Sequence, residues 1–325
     1  IGAGFACGGF CIQFGCDWVA FLYASIAAIL GMRLRQVCNE SGLNHYMGIA
    51  ISAFVATIIA WASTLLPAEW TSTPWHPLLA CALFIVPGVP LINFVDDMLD
   101  NYIQVGIVRA VNTLLMVAAM AFGIAFAVKL CHIENFFPTI SMVPHHQYWE
   151  YAIAAAISAM GFSMIFNIQR RLLWVVAIGG IIAVCTRNFV NLGPSTDNIG
   201  LDMGLVIGSF SGAVLVSLIA IKAVHWFHVP NHVLTIPSVI PMIPGVLMYR
   251  MLFGIININV QSIDQVTPLM KAIESGVNSG LVIMCIALGV AIPNIFGRRF
   301  IASSKNKRLA ELLKERKARG KFVEW

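Results

Sequence analysis

The chain has 325 residues, a formal net charge of +5, 59% hydrophobic residues and only 11% charged ones, with a mean hydropathy of +0.83. That balance excludes an ordinary soluble domain and indicates a polytopic membrane protein. Apolar runs of about 20 residues, the length that spans a bilayer core, predict an all-α fold of about ten transmembrane helices. They lie near 1–14, 17–37, 44–66, 75–95, 105–130, 148–168, 171–190, 200–223, 232–253 and 276–297.

The first run begins at Ile1 inside apolar text and is too short to span, so the natural chain is expected to continue upstream. The eight cysteines fall mostly within apolar runs and form no Cys-x-x-Cys. They read as small buried hydrophobes, with no disulfide, metal site or cofactor expected.

The fourth and ninth runs are each interrupted near the middle, by Pro87-Gly88-Val89 and by Pro244-Gly245-Val246. Proline lacks the N–H that would continue the helix and clashes with the preceding turn. In hydrocarbon the released carbonyls need partners, so such a break survives only against protein or a polar cavity. Paired breaks in two halves are the sequence pointer to a transporter binding site. A new half-helix after each break presents amides without intrahelical acceptors and the positive end of its dipole, which suits an anion. Gly88, Val89 and Leu91 can offer N–H groups in the first half-helix, and Gly245, Val246 and Leu247 in the second; Pro90 cannot. Carbonyls released ahead of the prolines, such as those of Phe84 and Met242, can accept from an ammonium group. An amino-acid zwitterion would use both kinds of partner, a dicarboxylate the two N-termini. The plainer reading is a proline kink needed only for packing.

Beyond the first break, Asn93 and Asp97 share one helix face. Beyond the second, Tyr249 and Arg250 follow, with Arg250 at the position equivalent to Asn93. Each lies about 9 Å past its proline at 1.5 Å per residue, on opposite sides of a shared midplane, so each would line its own vestibule. Substrate binding is therefore assigned to Pro87, Gly88, Val89, Asn93, Pro244, Gly245, Val246, Tyr249 and Arg250. Coupling or gating is assigned to Asp97, Arg109 and Arg187. Against these stand a solvated helix end for Asp97, a snorkelling arginine for Arg109 and an interfacial cluster for Arg187 with Asn188 and Asn191. His225, His228 and His232 read as an interfacial patch, because Pro230 breaks their helix.

Gly9-Phe10, Phe14 and Arg35 recur as Gly161-Phe162, Phe166 and Arg187, 152 residues later, and the Pro-Gly pairs recur 157 residues apart. This divides the chain into five-helix repeats at 1–146 and 147–297 and a tail at 298–325. Five is odd, so the second repeat crosses in the opposite sense, giving an inverted pair suited to alternating access. The tail carries ten Lys/Arg and three Glu, a net +7, which leaves the remainder at −2. Basic residues directly after a final helix indicate a cytoplasmic C-terminus, and the even helix count puts the N-terminus there too. The connection 134–147 then faces out. The tail reads as an amphipathic helix near anionic lipid, not a nucleic-acid surface, since it has no aromatic platform.

Asp96-Asp97-Met98-Leu99-Asp100 also fits the pattern that holds magnesium diphosphate in prenyl-transfer enzymes. Such enzymes carry a second aspartate-rich motif, whereas Asp197, Asp202 and Asp264 are isolated. A channel or a structural membrane subunit is a further alternative.

The first half, through Val86-Pro-Gly-Val-Pro-Leu-Ile-Asn93-Phe-Val-Asp-Asp97 to Gly106-Ile-Val-Arg109, resembles the membrane half of the threonine/serine exporter family. The second half, through Ile236-Pro-Ser-Val-Ile-Pro-Met-Ile-Pro-Gly-Val-Leu-Met-Tyr-Arg250, resembles that family's smaller second component. The resemblance implies a secondary exporter of small hydrophilic metabolites, threonine and serine in some members and succinate in others, in the cell inner membrane. It also implies coupling to an ion gradient, read here as protons, and a soluble domain ahead of the membrane half. The expected partners are the small-molecule substrate, protons, membrane lipids and further copies of the chain, with no nucleic acid and no cofactor.

Overall fold

The structure, a computed structural model, describes residues 1–67, 69–133, 147–194, 199–227, 229–256 and 266–318. Among them all regular structure is helical. The first half comprises α1 (Gly2–Gln13), α2 (Trp18–Glu40), α3 (His45–Trp61), the short α4 (Pro77–Ala80), α5 (Gly88–Leu99) and α6 (Ile103–Leu130). The second comprises α7 (Tyr148–Ile165), α8 (Leu173–Asn191), α9 (Leu205–Phe227), α10 (Asn231–Val239), α11 (Gly245–Ile256) and α12 (Val266–Ala318). The expected 134–147 connection lies outside the described residues except for Gln147.

Local chemistry sets the helix ends. Asp17 caps α2 by accepting from the Ala20 amide at 2.7 Å, and Asn44 caps α3 by accepting from the Tyr46 amide at 2.9 Å; side-chain acceptors there satisfy amides that have no intrahelical partner. Left-handed residues close α1, α5 and α7: Gly15 (φ 88°), Asn101 (φ 69°) and Asn167 (φ 55°). Glycine and asparagine tolerate that region best. Beyond residue 297, α12 continues as helix to Ala318, 53 residues in all, because no glycine or proline intervenes before Gly320.

Six helical segments among the described residues are long and apolar enough to cross a membrane: Trp18–Glu40, His45–Leu65, Ile103–Leu130, Arg170–Asn191, Leu205–Val224 and Leu269–Gly297. A seventh crossing results if Asn231–Met242 and Gly245–Leu252, bent by 61° at the break, count as one span. The other three expected segments fall short of that standard for identifiable reasons. α1 has only 12 residues, the 75–95 run is split between α4 and α5, and α7 opens on Tyr148-Trp149-Glu150-Tyr151.

α1 occupies the middle of the fold. From Ala3 through Gln13 its residues are buried except for Phe5, against α2 and α7. The α1–α7 contact is set by two glycines, each at the place in its own helix where the other backbone arrives. A Cβ on Gly9 would lie 2.6 Å from the Ala154 carbonyl oxygen, and one on Gly161 would strike the backbone of Ala6 and Gly2. Ser158 Oγ donates to the Ala6 carbonyl at 3.2 Å, and Phe10 meets Phe162 edge-on with ring centroids 5.7 Å apart. Each contact pairs a residue with the one 152 positions on, or with that residue's neighbours on the same face. Close approach through small residues is how helices associate where lipid provides no hydrophobic drive.

The breaks repeat this reciprocity. A Cβ on Gly88 would meet Ile243 Cδ1 at 2.9 Å and Ile240 Cγ1 at 3.2 Å, and one on Gly245 would meet Leu83 Cδ2 at 2.7 Å and Val86 Cγ2 at 3.2 Å. Leu83, Val86 and Gly88 correspond to Ile240, Ile243 and Gly245 at the 157-residue offset. A further correspondence escaped the sequence reading. Val111-Asn112-Thr113 recurs as Val277-Asn278-Ser279, 166 residues on; Thr113 and Ser279 are both buried, with hydroxyls outside any hydrogen bond among the described residues.

At the end of the molecule away from the α5–α6 turn, Asp17 clasps the segment ahead of α4. Its carboxylate accepts from Thr71 Oγ1 at 2.8 Å, the Ser72 amide at 2.7 Å and Ser72 Oγ at 3.2 Å, while its own amide donates to Thr73 Oγ1 at 3.1 Å. Burial opposes its ionisation, but the bonds from Ala20, Thr71 and Ser72 outweigh that and hold the carboxyl below its ordinary value.

Two outcomes are expected. Asp17→Ala should cost about 1–2 kcal/mol through the lost cap alone, and Asp17→Asn should remove the acid sensitivity of this clasp. Because the folded-state value is depressed, the contribution is complete above the ordinary carboxylate range near pH ~4 and lost as pH falls through the folded value. Thermal unfolding of the three proteins between pH 3 and 7 checks both points. At the breaks, Gly88→Ala should destabilise by about 1–3 kcal/mol through overpacking. Pairing it with Ile243→Ala should recover part of that loss, a non-additivity that only direct contact produces.

Candidate functional site: a polar vestibule ending on two helix breaks

The breaks leave few backbone groups unsatisfied. Pro87 (φ −78°, ψ 64°) lets the Gly88 amide turn back onto the Val86 carbonyl at 2.8 Å, an inverse γ-turn. The Gly245 amide does the same to the Ile243 carbonyl at 2.8 Å. The Leu91 amide is engaged by the Pro87 carbonyl at 2.9 Å and that of Met248 by the Pro244 carbonyl at 3.2 Å. Of the expected donors, Gly88, Gly245 and Leu91 are therefore already bonded. Val89, Val246 and Leu247 remain as first-turn amides outside the described backbone bonds. Pro90 sits at the third helical position, where a missing N–H costs no intrahelical bond.

The contact between the breaks is apolar and tight. Leu83, Val86, Ile240, Ile243 and Gly245 close it, with Phe10 and Phe162 beside them, around a gap of about 10 Å³. That is room for one water at most. The breaks thus form a dry seam.

On one side of the seam a cavity of about 500 Å³ opens outward. α5 supplies its polar wall. Val89, Asn93, Asp96 and Asp97 all line it, from the first turn of α5 to near its end, because residues three and four apart share a face. Leu91, Ile92 and Val95 turn inward as core. Across the cavity, α6 contributes Arg109, the end of α7 contributes Phe166 and Ile168, and α10 contributes His232, Val233, Ile236 and Pro237.

Two charged contacts organise this vestibule. Arg109 Nη1 lies 2.8 Å from Asp97 Oδ2, with the two side chains 45% and 23% exposed. Solvent reaches the pair, so it is worth about 1 kcal/mol or less in stability. It can therefore open at little cost and exchange partners with a charged solute. His232 Nε2 lies 4.0 Å from Asp96 Oδ2. Among the described residues no three His, Cys, Asp or Glu side chains stand together as a metal site.

The structure brings Val89, Asn93, Asp97 and Arg109 together in the vestibule. It puts Pro87, Gly88, Pro244, Gly245 and Val246 at the seam, where Gly88 and Gly245 meet side chains of the opposite break. Arg250 lies beyond the seam: α10 enters from the vestibule, and α11 carries the chain past the break. Arg187 is near the far end of α8, its Nε and Nη2 donating to Asn188 Oδ1 at 3.1 and 3.0 Å. The side chain of Tyr249 lies outside the described ones, as do those of His225 and His228. His232, read from the sequence as part of an interfacial patch, lines the vestibule instead. Pro230 does end the preceding helix, but it then caps α10 and delivers His232 to the first turn of a new helix facing α5. The available signal was the position of His232 at the head of the second broken segment.

Comparison with known proteins follows the same division of the chain. Residues 1–131 match one threonine/serine exporter family model, and residues 151–296 match a second, described as "Threonine/Serine exporter, ThrE". Among curated proteins, the "Probable succinate transporter subunit YjjP" of Klebsiella aerogenes is 32% identical over 127 residues, 39% of this chain and 49% of that protein. Its Escherichia coli K12 counterpart is 30% identical over the same length and shares. The chain thus spans about half the length of the curated relatives it matches. No solved structure matches. The two adjoining matches, each holding one Pro-Gly-Val break, establish that the chain belongs to the threonine/serine exporter family.

Proposed function

We propose that the chain is the membrane unit of a secondary exporter of small hydrophilic metabolites in the inner membrane. In this reading residues 1–146 and 147–297 are inverted five-span repeats, and 298–325 is a cytoplasmic tail. α1, the split α4–α5 segment and α7 complete the count of ten spans. The reciprocal contacts of equivalent glycines, Gly9 with Ala154 and Gly161 with Gly2 and Ala6, Gly88 with Ile243 and Gly245 with Val86, support the pairing. They are what a two-fold relation between repeats produces.

One observation carries the functional reading: a water-accessible vestibule lined by Asn93, Asp97 and Arg109 ends blindly on a dry seam made by both helix breaks. With the basic tail inside, the vestibule is the cytoplasmic entrance, and the seam is the barrier that must part for alternating access. Arg109 would take a substrate carboxylate, freeing Asp97 to receive an ammonium group or a proton. Parting of the seam would expose the Val89, Val246 and Leu247 amides to the same carboxylate, with Arg250 and Arg187 lining the exit. Threonine- or serine-like amino acids fit this donor and acceptor set. A dicarboxylate is the second reading, supported by the relatives' printed succinate designation and by two nitrogen-bearing side chains, Arg109 and His232, in one cavity. The relatives' designation as a subunit also supports assembly with further chains. Export driven by the proton gradient would use Asp97 as the carrier.

The test is uptake into inside-out vesicles of labelled threonine, serine and succinate, with and without a proton gradient. One of the three should accumulate and show counterflow; absence of counterflow for all three would remove the exporter reading. Arg109→Ala should lower transport about 10- to 100-fold, the equivalent of one lost charge-assisted contact of about 1.5–3 kcal/mol. Arg109→Lys should restore only part of it, because lysine lacks the planar fork. Asp97→Asn should reduce gradient-driven accumulation more than counterflow.

A further inference from the structure

The vestibule wall is made by two separate parts of the chain. Asn93, Asp96, Asp97 and Arg109 come from α5 and α6, and His232, Val233 and Ile236 from α10. The Asp97–Arg109 pair lies wholly within the first group. The contact of His232 Nε2 with Asp96 Oδ2, at 4.0 Å, joins the two groups across the opening. Both side chains are part-exposed, 43% and 21%, so protons reach them from the vestibule.

Histidine is the side chain whose charge changes nearest neutral pH. As a neutral ring 4.0 Å from a carboxylate it makes no direct hydrogen bond; as an imidazolium it offers a charge-assisted N–H to Asp96. The charged groups that share the vestibule wall with it come from α5 and α6. α5 presents Asp96 and Asp97, with Asp100 at its end, and α6 presents Arg109. The end of α7 presents only Phe166 and Ile168 before Arg170 and Arg171 in the next turn. On its own element the neighbours are the neutral Asn231 and Thr235. The side chains of His225, His228, Arg298 and Arg299 lie outside the described ones. The α10 start is also tied down from behind, where Asn231 Nδ2 donates to Asn294 Oδ1 on α12.

We propose that His232 and Asp96 form a proton-operated latch between the two halves at the mouth of the vestibule. A proton from vestibule water binds His232 Nε2, the imidazolium closes on Asp96, and α10 is drawn toward α5, narrowing access to Val89 at the deep end. Loss of the proton releases it. This regulates the vestibule of the exporter reading and rests on that reading for its purpose, but the latch itself needs no substrate.

The experiment uses the full chain in nanodiscs, with a cysteine at Val89 (V89C) labelled by a charged thiosulfonate reagent. The parent chain supplies the native-cysteine background, and Ser41→Cys on an exposed turn corrects for the pH dependence of the reagent. Corrected labelling at position 89 should slow at least fivefold between pH 8 and pH 5.5. H232Q and D96N should each abolish the difference, and H232K should hold the slow rate at both values. Persistence of the pH effect in H232Q would overturn the proposal. A second readout guards against variants that fold poorly: Tm values for D96N, H232Q and the double variant should be non-additive at pH 5.5 and additive at pH 8. Additivity at pH 5.5 would equally overturn it. A pH-dependent latch in a protein with no counterflow would sink the exporter reading alone; counterflow with pH-independent labelling would sink the latch alone.

Discussion

A helix can be interrupted inside a membrane only if its released backbone groups find partners, and the centre of this protein is arranged around that constraint. Each proline turns the following glycine amide onto the carbonyl two residues back, so the break is largely self-satisfied. Each glycine then lets the other break approach until Ile240 and Ile243 face Gly88, and Leu83 and Val86 face Gly245. The seam is dry because its lining is apolar and its gap holds no more than one water.

The α1–α7 contact serves the seam. Phe10 and Phe162, which meet edge-on between these helices, also wall the gap at the breaks. Gly9 and Gly161 permit the approach that puts both rings there. A side chain at either glycine would push the rings apart and change the seam without touching it. α1, only 12 residues long, is thus buried along most of its length, with Phe5 the exposed exception.

Charge is distributed to match. The seam carries none, whereas α5 runs from it into a vestibule bearing Asp96, Asp97, Arg109 and His232. These groups are part-exposed, where ion pairs are weak and exchangeable. At the other end of the molecule Asp17 is held by four groups from Ala20, Thr71 and Ser72. That carboxylate acts as a fixed anchor for the segment ahead of α4. The contrast is between part-exposed charges held by one contact each and a carboxylate held by four donors.

Much of this was legible in the sequence. Proline has no N–H and glycine no Cβ, so Pro87-Gly88 and Pro244-Gly245 marked the breaks from composition alone. The four-residue spacing of Asn93 and Asp97 foretold one polar face of α5, since helix geometry is local. The pairing of Arg109 with Asp97 was not read from the sequence and comes from the structure. What sequence could not decide depended on contacts between distant segments. The γ-turns that consume the Gly88 and Gly245 amides arise from backbone angles that proline permits but does not dictate. The arrival of His232 within the vestibule depends on how α10 crosses α5. That crossing is set by side-chain packing at the seam, and only the tertiary structure determines it.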